Sequence, residues 1–167
     1  MTTTPDSIPA LPAIRFTDLT QVQAIIAAVR QTGVSAAAWT IPDAAAIAGP
    51  AWFHALFTQA LAVAPEPSSR RPFTHNKSGT FHMVLDCGDS AGHTVEALHL
   101  GVRCLHFDGP AGTRAKLNSI AEQTGAWMVA APTGPELDLS TLPVLQQRNE
   151  DRLVHACAEW LEGTVIA

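Results

Sequence analysis

Positive charge is scarce in this chain: Lys and Arg number 10 against 15 Asp and Glu in 167 residues, for a formal net charge of −5 with histidine neutral. Nucleic acid or an anionic membrane is met through a basic face, so the balance gives no reason to expect either partner. The one basic cluster, Arg70, Arg71, His75 and Lys77, is small and reads as a solvated loop. Lysine is scarcer still. Only Lys77 and Lys116 occur, and neither ends a predicted strand, which argues against Schiff-base chemistry and against a phosphoacceptor receiver domain. Three cysteines, Cys87, Cys104 and Cys157, are odd in number and widely spaced, so they form no disulfide framework and suit a reducing compartment. No C-x-x-C or H-x-x-x-H spacing marks a metal site. No apolar run approaches the ~18 residues that span a bilayer, and the start, MTTTPDSIPALP, lacks the basic and apolar regions of a signal peptide. A soluble cytoplasmic protein is expected.

What is present suits one compact domain, with 47% hydrophobic and 15% charged residues. Residues 1–10 read as a flexible tail and 11–167 as a single α/β domain, interrupted at 65–80 by a polar, Pro-containing insertion. The stretch Phe81 to Gly109 runs strand, polar turn, helix, Gly break, strand, polar turn, which is a parallel β-α-β unit. Before it, Leu11 to Phe16 is a strand candidate. Asp18 and Gln21 have the form of an N-cap with a reciprocal partner, and Val22, Ile25, Ile26 and Val29 recur at helical spacing. Val34 to Ile41 reads as a buried strand, and Gly49-Pro50 opens the next helix. After it, a helix carries Leu117, Ile120 and Ala121 inward, a strand covers 126 to 131, and a last helix carries Leu153, Cys157, Trp160 and Leu161.

Three times the chain passes from helix through glycine to strand, at Gly33, Gly101 and Gly125. Glycine supplies the left-handed backbone that ends a helix, and the apolar run after it enters a sheet. The expectation is about five mostly parallel strands alternating with helices. They would form either an open doubly wound, flavodoxin-like sheet or a partial (βα) barrel, the open sheet being the safer shape because a bare half-barrel leaves edges to be covered by another copy.

Some of these residues resemble a known family. LTQVQAII (Leu19 to Ile26) is similar to the LEQVQAI stretch of class II, zinc-dependent fructose-bisphosphate aldolases. VLDCG followed by LGVRCLHFDG resembles that family's HQDHG and, at the same spacing, LGFSSVMMDGS. The resemblance covers Ile14 to Ala131 and implies the first strands of an aldolase-type barrel. It places Asp86 on the family's catalytic aspartate, which exchanges a proton with the substrate, and Cys87 on a histidine that binds the catalytic zinc. A thiolate can bind zinc. The chain departs from the pattern at Arg15, Thr17 and Asp18, where asparagines are usual, and at Pro42-Asp43-Ala44, which replaces a Ser-Ala-Gly turn. The family's other zinc ligands and phosphate loops have no counterpart after Gly125.

Ligands of parallel α/β sheets bind outside the carboxyl ends of the strands. Asp18, Thr40, Asp43, Asp86, Cys87, Asp89, Asp108 and Thr133 all map there. Asp86 is the candidate catalytic acid or base, while Asp43, Asp89 and Asp108 have the alternative reading of turn or cap residues. Gly109-Pro-Ala-Gly112-Thr113-Arg114 opens a helix and could hold a phosphate through free amides, although it is neither a P-loop nor G-x-G-x-x-G. Cys87 and His106, with Asp108 and His93 nearby in sequence, are the candidate metal ligands. Cofactors are expected to be absent, with Zn2+ the one alternative. The functional expectation is an aldolase-related domain, not a competent aldolase, that binds a small metabolite, phosphorylated ones included, in an accessory or regulatory role. A repurposed lyase using Asp86 and a structural subunit acting through homo-oligomerisation are the alternatives.

Overall fold

The computed structural model describes residues 11–63, 79–142 and 149–166. The expected tail at 1–10 and nearly all of the insertion at 65–80 lie outside the described residues. The elements are β1 (Ala13–Phe16), α1 (Leu19–Thr32), β2 (Ala36–Thr40), α2 (Ala44–Ala48), α3 (Pro50–Val63), β3 (Phe81–Asp86), α4 (Ala91–Leu100), β4 (Cys104–His106), α5 (Ala111–Thr124), β5 (Trp127–Val129), β6 (Glu136–Asp138) and, after a 3-10 turn, α6 (Glu150–Ile166). The strands form one all-parallel sheet in the order β5-β4-β3-β2-β1-β6. The α/β class with parallel strands alternating with helices is as the sequence predicts.

Local chemistry explains the helix boundaries. The Asp18 side chain accepts from the Gln21 amide at 2.9 Å and caps α1. The reciprocal arm differs from expectation, because Gln21 Oε1 accepts from Thr17 N at 2.7 Å, one residue before the cap. Gly33, Gly101 and Gly125 end α1, α4 and α5 with φ of 71°, 89° and 67°. That is the left-handed conformation the helix-glycine-strand recurrence requires.

Two features were not expected. A short helix, α2, occupies Ala44–Ala48 before Gly49. A sixth strand, β6, lies within the Pro-rich connection and pairs with β1 on the sheet's far side from β5. Its three residues show no period of their own, and their order comes from pairing with a strand more than 100 positions earlier in the chain.

The first five strands follow chain order, so the helices between them lie on one face, as at the start of a (βα) barrel, and not on both faces of a doubly wound sheet. Ile14, Phe16, Ala36, Ala38, Leu85 and Leu105 pack there against residues of α1, α3, α4, α5 and α6. The opposite face holds a smaller cluster of Ala13, Ala37, Trp39, Val84 and Cys104. β5 ends at 129 and β6 starts at 136, at opposite edges of the sheet. The connecting residues 130–135 lie beside Ala37, Trp39 and Val84 on its helix-free face.

Candidate functional site at the carboxyl ends of β3 and β4

Strand alternation decides which side chains can meet. In a strand, neighbours point to opposite faces, so Asp86 and Cys87 are parted by their adjacency. Cys87 joins the helix-side cluster and is 1% exposed. Burial pushes its thiol up to about 12, against an opposing hydrogen bond with Thr94. Asp86 pairs in register with His106 of β4, and that pairing places the two side chains on the same, helix-free face. His106 meets the Trp39 ring edge-on, with centroids 5.5 Å apart. Cys87 and His106, the expected metal ligands, thus lie on opposite faces and do not form a zinc site together. Among the described residues no three His, Cys, Asp or Glu side chains gather in a way that could hold a metal ion.

Asp86 is 7% exposed and well anchored. Its Oδ1 accepts from the Asp43 amide at 3.1 Å and from the Gly88 amide at 2.9 Å. Its own amide donates to Thr40 Oγ1 at 2.9 Å. The carboxylate therefore fastens the turn after β2 to the turn after β3, and Oδ2 has no hydrogen-bond partner among the described residues. His106 is 8% exposed. Its Nδ1 lies 2.9 Å from the Val129 carbonyl. A carbonyl only accepts, so Nδ1 carries the proton and Nε2 is left without a partner among the described residues. The site offers one open carboxylate oxygen and one open imidazole nitrogen from adjacent strands.

The loops around this pair are zipped together. The Cys87 amide donates to the His106 carbonyl at 2.9 Å, and the Asp108 amide donates to the Gly88 carbonyl at 2.9 Å. Gly88 has a φ of 53°, the left-handed backbone that favours glycine, and a Cβ there would also push the exposed Asp43 carboxylate aside. Gly109 is held as tightly, because a Cβ would run into the Phe107 ring.

The other predicted residues take lesser positions. Asp43 is exposed, adopts φ 56° and stands at the N-cap of α2 without making a side-chain cap bond. Asp89 and Asp108 are exposed residues of the loops after β3 and β4, and Ser90 caps α4, as its place before the helix predicts, by accepting from the His93 amide. Gly112, Thr113 and Arg114 open α5 after Pro110, which offers no side-chain cap. Thr113 and Arg114 donate to the Pro110 carbonyl, at 3.0 and 2.9 Å, while the amides of Ala111 and Gly112 have no intrahelical acceptor. Cys104 shares the helix-free face, where burial pushes its thiol up to about 11.

Sequence reasoning missed Trp39 and Arg15 as members of this face. The Arg15 guanidinium sits 5.9 Å from the Trp39 ring centre and pairs with Glu136 of β6 at 2.7 Å, so Arg15, Trp39 and His106 form a continuous row. Their shared odd-even parity is visible in each strand, but the register that aligns the strands is not. No family model matches the chain, and a search of curated proteins finds no match.

Proposed function

We propose that the chain is a small-molecule-binding α/β domain of aldolase-like descent, acting in an accessory or regulatory role, with its site at the carboxyl ends of β3 and β4. The observation that carries this reading is the cross-strand pair Asp86–His106: both side chains are more than nine-tenths buried, each is anchored through one atom, and each has one polar atom with no partner among the described residues. Anchored, preoriented groups of this kind suit a polar ligand. Asp43, Asp89, Asp108, Gly109, Gly112, Thr113 and Arg114 frame the same edge, and the unpaired first-turn amides of α5 with Arg114 suit a phosphate. If the site turns over substrate, Asp86 is the acid or base. Aldolase chemistry with zinc held by Cys87 is not part of the reading, since that thiol lies in the helix-side core.

The test is a thermal-shift series with sugar phosphates at millimolar concentration. A ligand at about 100 times its Kd adds ~2.7 kcal/mol, which raises Tm by roughly 5–10 °C for a chain of this size. The rise is expected to vanish in His106→Gln and to shrink in Gly112→Asp. No rise with any sugar phosphate, or a rise that survives both substitutions, contradicts the reading.

A second reading, a homo-oligomeric structural subunit, has its own support. Residues 44–63 contain no Asp, Glu, Lys or Arg. Ile47, Trp52 and Leu61 on this stretch are 67%, 47% and 57% exposed. Sedimentation over a concentration series is expected to show reversible dimerisation that Trp52→Glu abolishes. A monomer at every concentration removes this reading and leaves the first untouched.

A further inference from the structure

The connection from β5 to β6 encloses a cleft of about 300 Å³ against the helix-free face. Its floor is Ala37, Trp39 and Val84, its roof is residues 130–135, and Leu11 and Pro12 close one side. Among the described residues no charged side chain lines it, and Thr133 and Thr164 bring the side-chain hydroxyls. The opening exists because small residues occupy the floor, Ala37 of β2 beside Ala13 of β1, while the roof has two prolines and α6 reaches it only at Thr164.

We propose that this cleft is a second binding site, for an uncharged ring-bearing molecule of about indole size. Size and chemistry both point there. An apolar protein cavity of about 150 Å³ stays dry and takes up benzene, so twice that volume has room for a fused two-ring group. It also falls at the small end of the range for organic-ligand sites. The lining is mostly Val, Ala, Pro and Leu with two threonines and, among the described residues, no charge to offset the desolvation of a charged ligand, whereas Trp39 offers an aromatic wall to a ring. The site is separate from the polar pair. Trp39 and Val129 stand between them, Trp39 meeting His106 by its ring and Val129 by its carbonyl. Binding here needs neither Asp86 nor a phosphate, so it goes beyond the reading above.

The test uses indole itself, titrated into the full chain and followed by methyl and amide NMR. The expected result is saturable one-to-one binding with shifts at Ala37, Val84 and Val129. Val129→Phe, at the half-buried rim, should fill the cleft and weaken binding at least tenfold while melting and circular dichroism stay native. Ala37→Leu is the second filling variant, read only if it melts cooperatively. Trp52→Ala, on the distant exposed helix, should leave the affinity unchanged. Absence of saturable binding, shifts centred on α3, or an affinity indifferent to both filling variants overturns the proposal.

Discussion

The two faces of the sheet are built to different rules. The helix side is a continuous apolar core in which Ile14, Ile25, Leu85 and Leu105 are all 0% exposed. The other face has a thinner cluster of small residues, into which Arg15, Asp86 and His106 intrude with an indole between them. Burying such groups is unfavourable unless each is paired. Here Arg15 has Glu136 and the Thr40 carbonyl, Asp86 has two amides, and His106 has the Val129 carbonyl. One face therefore holds the chain together, and the other carries the groups that can do chemistry.

The sharpest way to break this contrast is truncation on each side. Phe16→Ala, on the helix side and 1% exposed, is expected to cost about 3–5 kcal/mol. Val129→Ala, half-buried on the other face, is expected to cost less than about 1 kcal/mol. Urea unfolding measures both, and equal losses would mean that the faces share one core. Gly88→Ala follows, at about 1–3 kcal/mol, because a left-handed backbone and the Asp43 carboxylate both oppose a Cβ.

Next is Asp86. Replacing it with Ala strips the Asp43 and Gly88 amides of their acceptor and should cost about 1–3 kcal/mol, whereas Asn keeps an oxygen at that place and should cost much less. If Asn destabilises as much as Ala, the role assigned to Oδ1 is wrong. Both variants also separate anchoring from binding, since Asn would retain the fold yet lose the open carboxylate oxygen.

Much of the fold was legible from the sequence, for identifiable reasons. Gly33, Gly101 and Gly125 are local signals, each set by the φ its own backbone needs, and all three end helices as expected. The class followed from that recurrence. β6 was hidden because Glu136–Asp138 is ordered by β1 rather than by its own residues. The split between Asp86 and Cys87 was in principle readable, since adjacent strand residues cannot face the same side. Pairing Cys87 with His106 as metal ligands overlooked that rule. The row Arg15, Trp39 and His106 depends on register across three strand pairs, which no single strand encodes.

Smaller effects sharpen the same contrast at the thiols. Cys87 and Cys157 are raised to about 12 by burial on the helix side. For a raised thiol the neutral form is the folded form, so its contribution is fully present below pH ~9, the unfolded value, and is lost as pH rises towards 12. Stability should be flat through neutral pH and fall above pH ~9, and a thiol reagent at pH 8 should react only at the rate of unfolding. Rapid labelling of Cys87 or Cys157 in the native protein, located by peptide mapping, would show that the helix side is not closed. The smallest effect belongs to Glu136→Gln. The Arg15–Glu136 pair is partly exposed, with side chains 18% and 33% accessible, and should yield no more than about 1 kcal/mol in a double-mutant cycle.

The central claim is that the polar ligand site lies on the helix-free face at the ends of β3 and β4. Amide NMR during titration with a panel of sugar phosphates tests it most directly. Saturable shifts at Asp43, Gly88 and Asp108, with Ile25 and Leu105 unmoved, are the predicted result. Shifts centred on the helix side, or none with any member of the panel, would contradict it.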